Sequence, residues 1–439
     1  MTENDHWLGR LNAVVGRSFG RPHDPQAGPV WKSADGCWLT AVDGQRYLDF
    51  RSGYSATNFG HAPQRLIAVA ETQMRGLSQL TQLPSTAMIE LAEELLDFLD
   101  WRSGKVLFNV SGARGVETAL KIALCRRPGV IVCFESGYHG RSLATQPFSD
   151  SATFSEAIAW PGMWKGQICR LPYPTDGTFA SHSASWSEVL QQFGAAVRSF
   201  SEPLSAVLIE PMLGARGYLV PPDQFFQQLA HLTHEREGLI IADEVQVGLG
   251  RGGGRLMSAS QQWRPDLVVL GKSLGGGLVP ISAVVGEAQW IDILAPGCES
   301  ETFAAQALAC AIARAGLRWL MELEPELPAL GERLRERFGQ AIIKYGLPAE
   351  IQGRGVVAVI DWKEKWPAVR GQNEPVDFAE LRQAVALIAQ RCLSSGLLLH
   401  PSGPIGNRLV LIPPLIVTEA EIEEAGRRFE SALDGLLPK

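Results

Sequence analysis

Four segments place residues that can do chemistry directly after runs that read as strands, where ligands of open α/β sheets bind. After VLFN (106–109) come Ser111, Gly112 and Ala113 and then a helix. Backbone N–H groups at that positive dipole end suit a phosphate, or form an ordinary strand-to-helix turn. After VIVCF (130–134), the turn GYHGRS (137–142) gathers the aromatic Tyr138, the imidazole His139 and the guanidinium Arg141. LIIADEVQ carries Asp243 and Glu244 at the end of an apolar strand, where a carboxylate is costly to bury without a cation. A protonated ring nitrogen or a structural arginine would serve. LVVLGKSLGGG (267–277) ends a strand on Lys272, an amine held among glycines.

Nucleotide and metal readings fail on spacing. Gly271, Lys272 and Ser273 resemble the end of a Walker phosphate loop, but the glycine that motif requires five positions before Gly271 is Asp266 here. GLGRGG (248–253) satisfies the dinucleotide glycine pattern after a strand. The following GRLMSASQQW, however, has no clear apolar helical face and no acid before Asp266. His231, His234 and Glu235 match no zinc helix spacing and read as a solvated helix face.

These residues need a scaffold. The runs VLFN, VIVCF, SAVLIE (205–210), LIIADE (239–244), DLVVL (266–270) and ISAVV (281–285) alternate with helical patterns such as VETALKIALCRR (116–127) and QFFQQLAHLTHERE (224–237). That alternation predicts a mostly parallel sheet with helices on its faces. From about residue 305 the pattern changes to two long helices, a short strand pair around VVAVIDW, a helix from Phe378 and a final LVLIPPL run, a separate α+β lobe. WKSADGCWLTAVDGQRYLDF (31–50) reads as a hairpin with turns at Asp35-Gly36 and Asp43-Gly44, joining that lobe. The expected division is residues 1–60 with the small domain, 61–310 as the large domain and 311–439 as the C-terminal small domain. The Pro-containing stretch 145–186 has weak periodicity and reads as a long functional or interface loop.

Bulk properties narrow the partners. With 439 residues, 46% of them apolar, the chain can bury a large core and a second lobe. A net charge of −7 without long basic blocks excludes a nucleic-acid footprint and favours small-molecule ligands. The seven cysteines are never spaced as Cys-x-x-Cys, which fits reduced thiols in the cytoplasm. MTENDHWLGR lacks the apolar core of a secretory signal and no stretch suits a membrane span, so no membrane partner is expected.

Taken in order, SGARGVETALKIA, YHGRS, LIEPMLGARG, IIADEVQVGLGRGG, DLVVLGKSLGGGLVPISAVVG and ETFAAQALACA resemble the class III, fold type I aminotransferases over about residues 30–420. The resemblance implies an α/β fold with a large, mostly parallel seven-stranded sheet domain and a smaller α+β domain. It implies pyridoxal 5'-phosphate carried as a Schiff base on Lys272, which also moves the proton, with Asp243 holding the pyridine nitrogen protonated. Val245 and Tyr138 would flank the ring, Gln246 would bond its hydroxyl, and Ser111, Gly112 and Ala113 would cup the phosphate. His139 and Glu210 match further positions near the cofactor. Thr302 matches a threonine that reaches the neighbouring subunit's phosphate, implying a homodimer with shared active sites.

Within the family, DFRSGYSATNFGH (49–61), GVETALKIA and the PGCESETF region look most like ornithine δ-aminotransferases. That likeness would set Tyr54 and Arg141 on the substrate's α-amino-acid end, leaving a distal amine at the cofactor. Relatives that use glutamate carry a gated Glu–Arg ion pair at the positions of Ala215 and Val410, and both charges are absent together here. Arg216 and Arg408 stand close by as candidates for a relocated carboxylate clamp. Arg114, at the start of the phosphate helix, opposes the helix dipole but would favour an anion. The expected function is amino transfer between an ω-amine or diamino acid and a 2-oxo acid or aldehyde. The alternatives are a racemase or epimerase, or a decarboxylating transaminase, on the same fold, and an inert dimeric binding protein.

Overall fold

Val130–Phe134 and Leu239–Asp243 are buried along their whole length, as strands inside a parallel sheet covered on both faces must be. The computed structural model describes residues 2–16, 28–150, 164, 166–174, 185–362, 378–403 and 405–434. Helix α1 (Glu3–Val14) precedes a meander of β1 (Trp31–Asp35), β2 (Trp38–Ala41) and β3 (Arg46–Asp49), with Gly36 and Gly44 at positive φ in its turns. Helices α2 (Gln64–Gly76) and α3 (Thr86–Phe98) lead to β4 (Gly104–Asn109), α4 (Gly112–Arg126), β5 (Val130–Phe134) and β6 (Ile168–Leu171). Then come α5 (Trp186–Ser199), β7 (Leu204–Ile209), α6 (Asp223–His234), β8 (Leu239–Asp243), β9 (Leu267–Leu270) and β10 (Ser282–Glu287). The chain closes with α7 (Ala307–Leu323), α8 (Leu327–Lys344), β11 (Glu350–Gln352), β12 (Ala358–Asp361), α9 (Phe378–Ser394), β13 (Leu397–Leu398), β14 (His400–Ser402), β15 (Arg408–Leu411) and α10 (Glu419–Leu433).

The large sheet has seven strands in the order β4-β10-β9-β8-β7-β5-β6. β10 runs antiparallel to both neighbours, and every other pairing is parallel. The carboxyl ends of β5, β7, β8 and β9 therefore open on one edge, which is where the sequence placed its reactive residues. Two four-stranded sheets lie outside it, β1-β2-β3-β13 and β11-β12-β15-β14. In the first, β3 pairs in parallel with β13, Leu48 opposite Leu397.

Two elements depart from the sequence reading. The stretch 145–186, read as a loop and in part outside the described residues, contains the edge strand β6. Its Arg170 donates to the carbonyls of Pro147 (2.6 Å) and Phe148 (3.3 Å), so the strand lacks the apolar continuity of its buried neighbours. Helix α10 follows the final LVLIPPL run, started by a capping box in which Thr418 Oγ1 accepts from Glu421 N and Glu421 accepts from Thr418 N.

Asp361 and Arg408 stand opposite each other in the β12–β15 register and form an ion pair of 2.7 Å, both side chains buried. Asn407 and Gln352 also donate to Asp361, at 2.6 and 2.8 Å. Asp361→Ala removes the counter-charge from a buried guanidinium, and a loss of about 3–5 kcal/mol is expected. Denaturant unfolding of the variant checks this; an unchanged midpoint would show that water reaches Arg408.

Candidate active site

Lys272 follows the extended Gly271 after β9 and has φ 44°, a left-handed conformation that turns its side chain out of the strand line. Its Nζ donates to Gln246 Oε1, and Gln246 Nε2 donates to the Tyr218 hydroxyl at 2.9 Å. Burial lowers the Lys272 ammonium to about 8, against the opposing pull of Glu210 and Asp243. An amine so placed reaches its neutral form, the one that attacks carbonyls, from about pH 8 upward instead of above 10.

Asp243 closes β8. Its Oδ2 lies 2.8 Å from His139 Nδ1, both groups buried, and its Oδ1 accepts from Val245 N at 3.2 Å. Glu210, directly after β7, accepts from Tyr138 N (2.7 Å) and Gly214 N (3.2 Å). Burial raises its carboxyl; His139 pulls it down and Asp243 pushes it up. Glu244 turns the other way and accepts from the backbone of Met257 (2.9 Å) and Ser258 (2.7 Å), a structural cap. The Asp-Glu pair of the sequence thus divides into one carboxylate beside the reactive amine and one inside the fold, as alternation along a strand demands.

Ser111 caps α4, its Oγ accepting from Arg114 N at 3.4 Å, and its carbonyl accepts from Ser282 Oγ at 2.7 Å. A Cβ added to Gly112 would lie 2.8 Å from Val245 Cγ1, and one added to Gly140 would lie 2.6 Å from Ala113 Cβ. The turn 111–113 is therefore packed against Val245 on one side and the aromatic turn on the other, leaving its backbone close to Lys272's neighbours. Ser111, Gly112, Ala113, Tyr138, His139, Glu210, Asp243, Val245, Gln246 and Lys272 form one neighbourhood.

The remaining expected residues lie around it. Arg141 is exposed, its guanidinium 5.7 Å from the Tyr138 ring centroid. Thr302 is exposed on the segment after β10, its carbonyl accepting from Gln79 Nε2 and from Thr81 Oγ1 at 3.3 Å. Arg114 is bound by Glu117 and Glu301 and reaches Glu299 at 3.5 Å, so its charge answers three carboxylates. Arg216 donates to Asp150 O at 3.4 Å, and Arg408 to Gly217 O at 2.9 Å besides Asp361. Ala215 is exposed, whereas Val410 packs in an apolar cluster with Met212, Tyr218 and Val359, with no provision for a charge. His231 and His234 pair with Glu235 (3.4 Å) and Asp266 (2.8 Å).

Two features escaped the sequence reading. Tyr218 supports Gln246, and Arg251, inside the glycine run GLGRGG, is wholly buried. Arg251 donates to Ser55 Oγ (3.2 Å), Asn58 Oδ1 (2.7 Å) and Val356 O (2.8 Å). A lone arginine among glycines was the available signal, since glycines let backbone approach a guanidinium closely.

The model of the class-III aminotransferase family matches residues 20–433. The 5-aminovalerate aminotransferase DavT of Pseudomonas aeruginosa is 32% identical over 434 residues, 96% of each chain being covered. The ornithine aminotransferase of Bordetella pertussis is 31% identical over 413 residues, covering 90% of this chain and 89% of that protein. The ornithine aminotransferase of Toxoplasma gondii, solved with partial occupancy of PLP at its active site, superposes with a TM-score of 0.81 at 24% identity. That match covers 98% of this chain and 94% of the other and shows a common fold.

Proposed function

The chain belongs to the class-III aminotransferases, which depend on pyridoxal 5'-phosphate, and from that premise we propose that it moves the terminal amine of an ω-amino or diamino acid to a 2-oxo acid or aldehyde. The observation that carries the reading is the buried amine of Lys272, lowered to about 8 and set among Gln246, Asp243 and Glu210. When bound, the cofactor supplies an aldehyde that exchanges for the donor's amine and a ring that takes up the electrons of the breaking C–H bond. The residues fit such a group: an amine of lowered basicity, a buried carboxylate, and helix N–H groups in a turn that leaves no space for a side chain at Gly112.

Lys272 would hold the cofactor through Nζ and would carry the proton at the donor's reacting carbon. Asp243, oriented by His139, would keep the ring nitrogen protonated. Val245 and Tyr138 would hold the ring, Gln246 would bond its hydroxyl and residues 111–113 would take the phosphate, while Glu210 fixes the turn carrying Tyr138. Tyr54 and Arg141 hold the donor's amino-acid end.

A homodimer completes the site, Thr302 serving the partner subunit's phosphate. Phe303 beside it is 57% exposed and Leu83 61%, apolar surface that suits coverage by a second copy. The small domain takes residues 1–60 and 311–439, the large domain 61–310, and the enzyme works in the cytoplasm.

Adding 5-aminovalerate or ornithine to the cofactor-loaded enzyme without acceptor is expected to bleach the visible band. A band that persists while an amino acid's optical rotation decays would instead identify a racemase. Gly112→Val, which drives a side chain into Val245, costs about 1–3 kcal/mol of overpacking at the phosphate turn. Equilibrium dialysis should show cofactor release before any loss of fold by circular dichroism.

A further inference from the structure

Residues 52–55 hold four consecutive left-handed conformations, with φ 42° at Ser52, 54° at Gly53, 57° at Tyr54 and 71° at Ser55. L-residues adopt such a run only where neighbours over-determine it, and such strain concentrates at functional sites. Here Asp49 Oδ1 accepts from the backbone of Arg51 (2.9 Å) and Ser52 (3.0 Å), and His61 pins the other oxygen at 2.8 Å. Ser52 Oγ donates to Ile412 O, while the buried Arg251 donates to Ser55 and Asn58.

The turn presents a pair. Arg51 Cζ lies 4.4 Å from the Tyr54 ring centroid, and its Nη2 donates to the Tyr54 hydroxyl. Among the described residues no carboxylate is paired with this half-buried guanidinium. Tyr54 in turn meets His400 edge-on at 4.9 Å; His400 stands opposite Val410 in the β14–β15 register, and Ser402 Oγ donates to Ala215 O at 3.3 Å. Through His400 and β14, Arg51 and Tyr54 thus share a wall with Ala215, with Val410 buried behind it; these are the two positions that lack a charge. Arg408, the other guanidinium of that wall, is tied to Asp361.

We propose that Arg51 is a specificity-determining residue that joins Tyr54 and Arg141 at the donor's carboxylate, remote from the reacting amine, with the Tyr54 ring fixing the plane of its fork. A planar guanidinium grips a carboxylate through two parallel hydrogen bonds, which a lysine cannot reproduce. The proposal rests on the reading of the donor as an ω-amino acid.

The test compares 5-aminovalerate with n-pentylamine, a donor of the same length without the carboxylate, by stopped-flow bleaching of the visible band in wild type, Arg51→Gln and Arg51→Lys. Calorimetric binding of valerate, which has the carboxylate and no amine, gives a second readout. Arg51→Gln should lower the acid-to-amine ratio of kcat/KM about 10- to 100-fold. Valerate affinity should fall in step, and Arg51→Lys should recover part of both. An unchanged ratio with unchanged valerate binding overturns the role of Arg51 while leaving the donor class standing. A wild type with no preference for the acid over the amine overturns the donor class and the role of Arg51 together.

Discussion

Lys272→Ala should fold, bind cofactor weakly and lose both the visible band and about 10³-fold or more of turnover, because the proposed function makes one side chain anchor and proton carrier at once. Alanine at φ 44° is strained no more than lysine, so secondary structure by circular dichroism should stay unchanged. The pH dependence separates this from a packing defect. Burial sets the wild-type amine at about 8, below its ordinary 10.5. The ammonium form cannot attack, so covalent capture of cofactor by the apoenzyme should slow about tenfold per pH unit below 8 and level off above it. A capture rate still climbing toward pH 10 would show that burial does not lower the Lys272 amine; a persistent visible band in the alanine variant would assign the anchor elsewhere.

Asp243→Asn carries the second-largest effect, about 10²- to 10³-fold in turnover. Asparagine retains the shape and a bond to His139 Nδ1 but removes the negative charge from the end of β8. The visible band should survive, since Lys272 is untouched, while single-turnover bleaching by 5-aminovalerate slows by nearly the whole factor. His139→Asn, which leaves the charge and loosens its aim, should fall between wild type and Asp243→Asn. If Asp243→Asn slowed only steady-state turnover and not bleaching, the carboxylate would act after donor chemistry, in release or in acceptor binding.

The runs VIVCF, SAVLI, LIIAD, LVVL and SAVV were legible because strands buried on both faces must be apolar throughout, and VLFN, on the half-buried edge strand β4, because it is apolar as well. β6 was not, because an edge strand carrying Arg170 needs no such continuity. Helix α10 announced itself in Thr418 and Glu421, a signal present in the sequence and passed over. Lys272 and Asp243 were readable because glycines and buried charge at strand ends are unusual. The fate of Arg408 was not, since its partner Asp361 lies 47 residues away and meets it only through register. Nor does SGYS betray a left-handed turn: serine and tyrosine have no local preference for it, and the bonds that impose it come from Asp49, Ile412 and Arg251.

The pairing of Leu48 with Leu397 has a bearing on how the protein is made. On the ribosome, β3 emerges early and must wait, with one edge open, until β13 follows near the end of synthesis. The large sheet can close meanwhile from strands nearer in sequence. The wall bearing Arg51 and Tyr54 is therefore among the last parts to settle. A chain stopped short of β13 would display the Lys272 turn while the turn bearing Arg51 and Tyr54 still lacked its support.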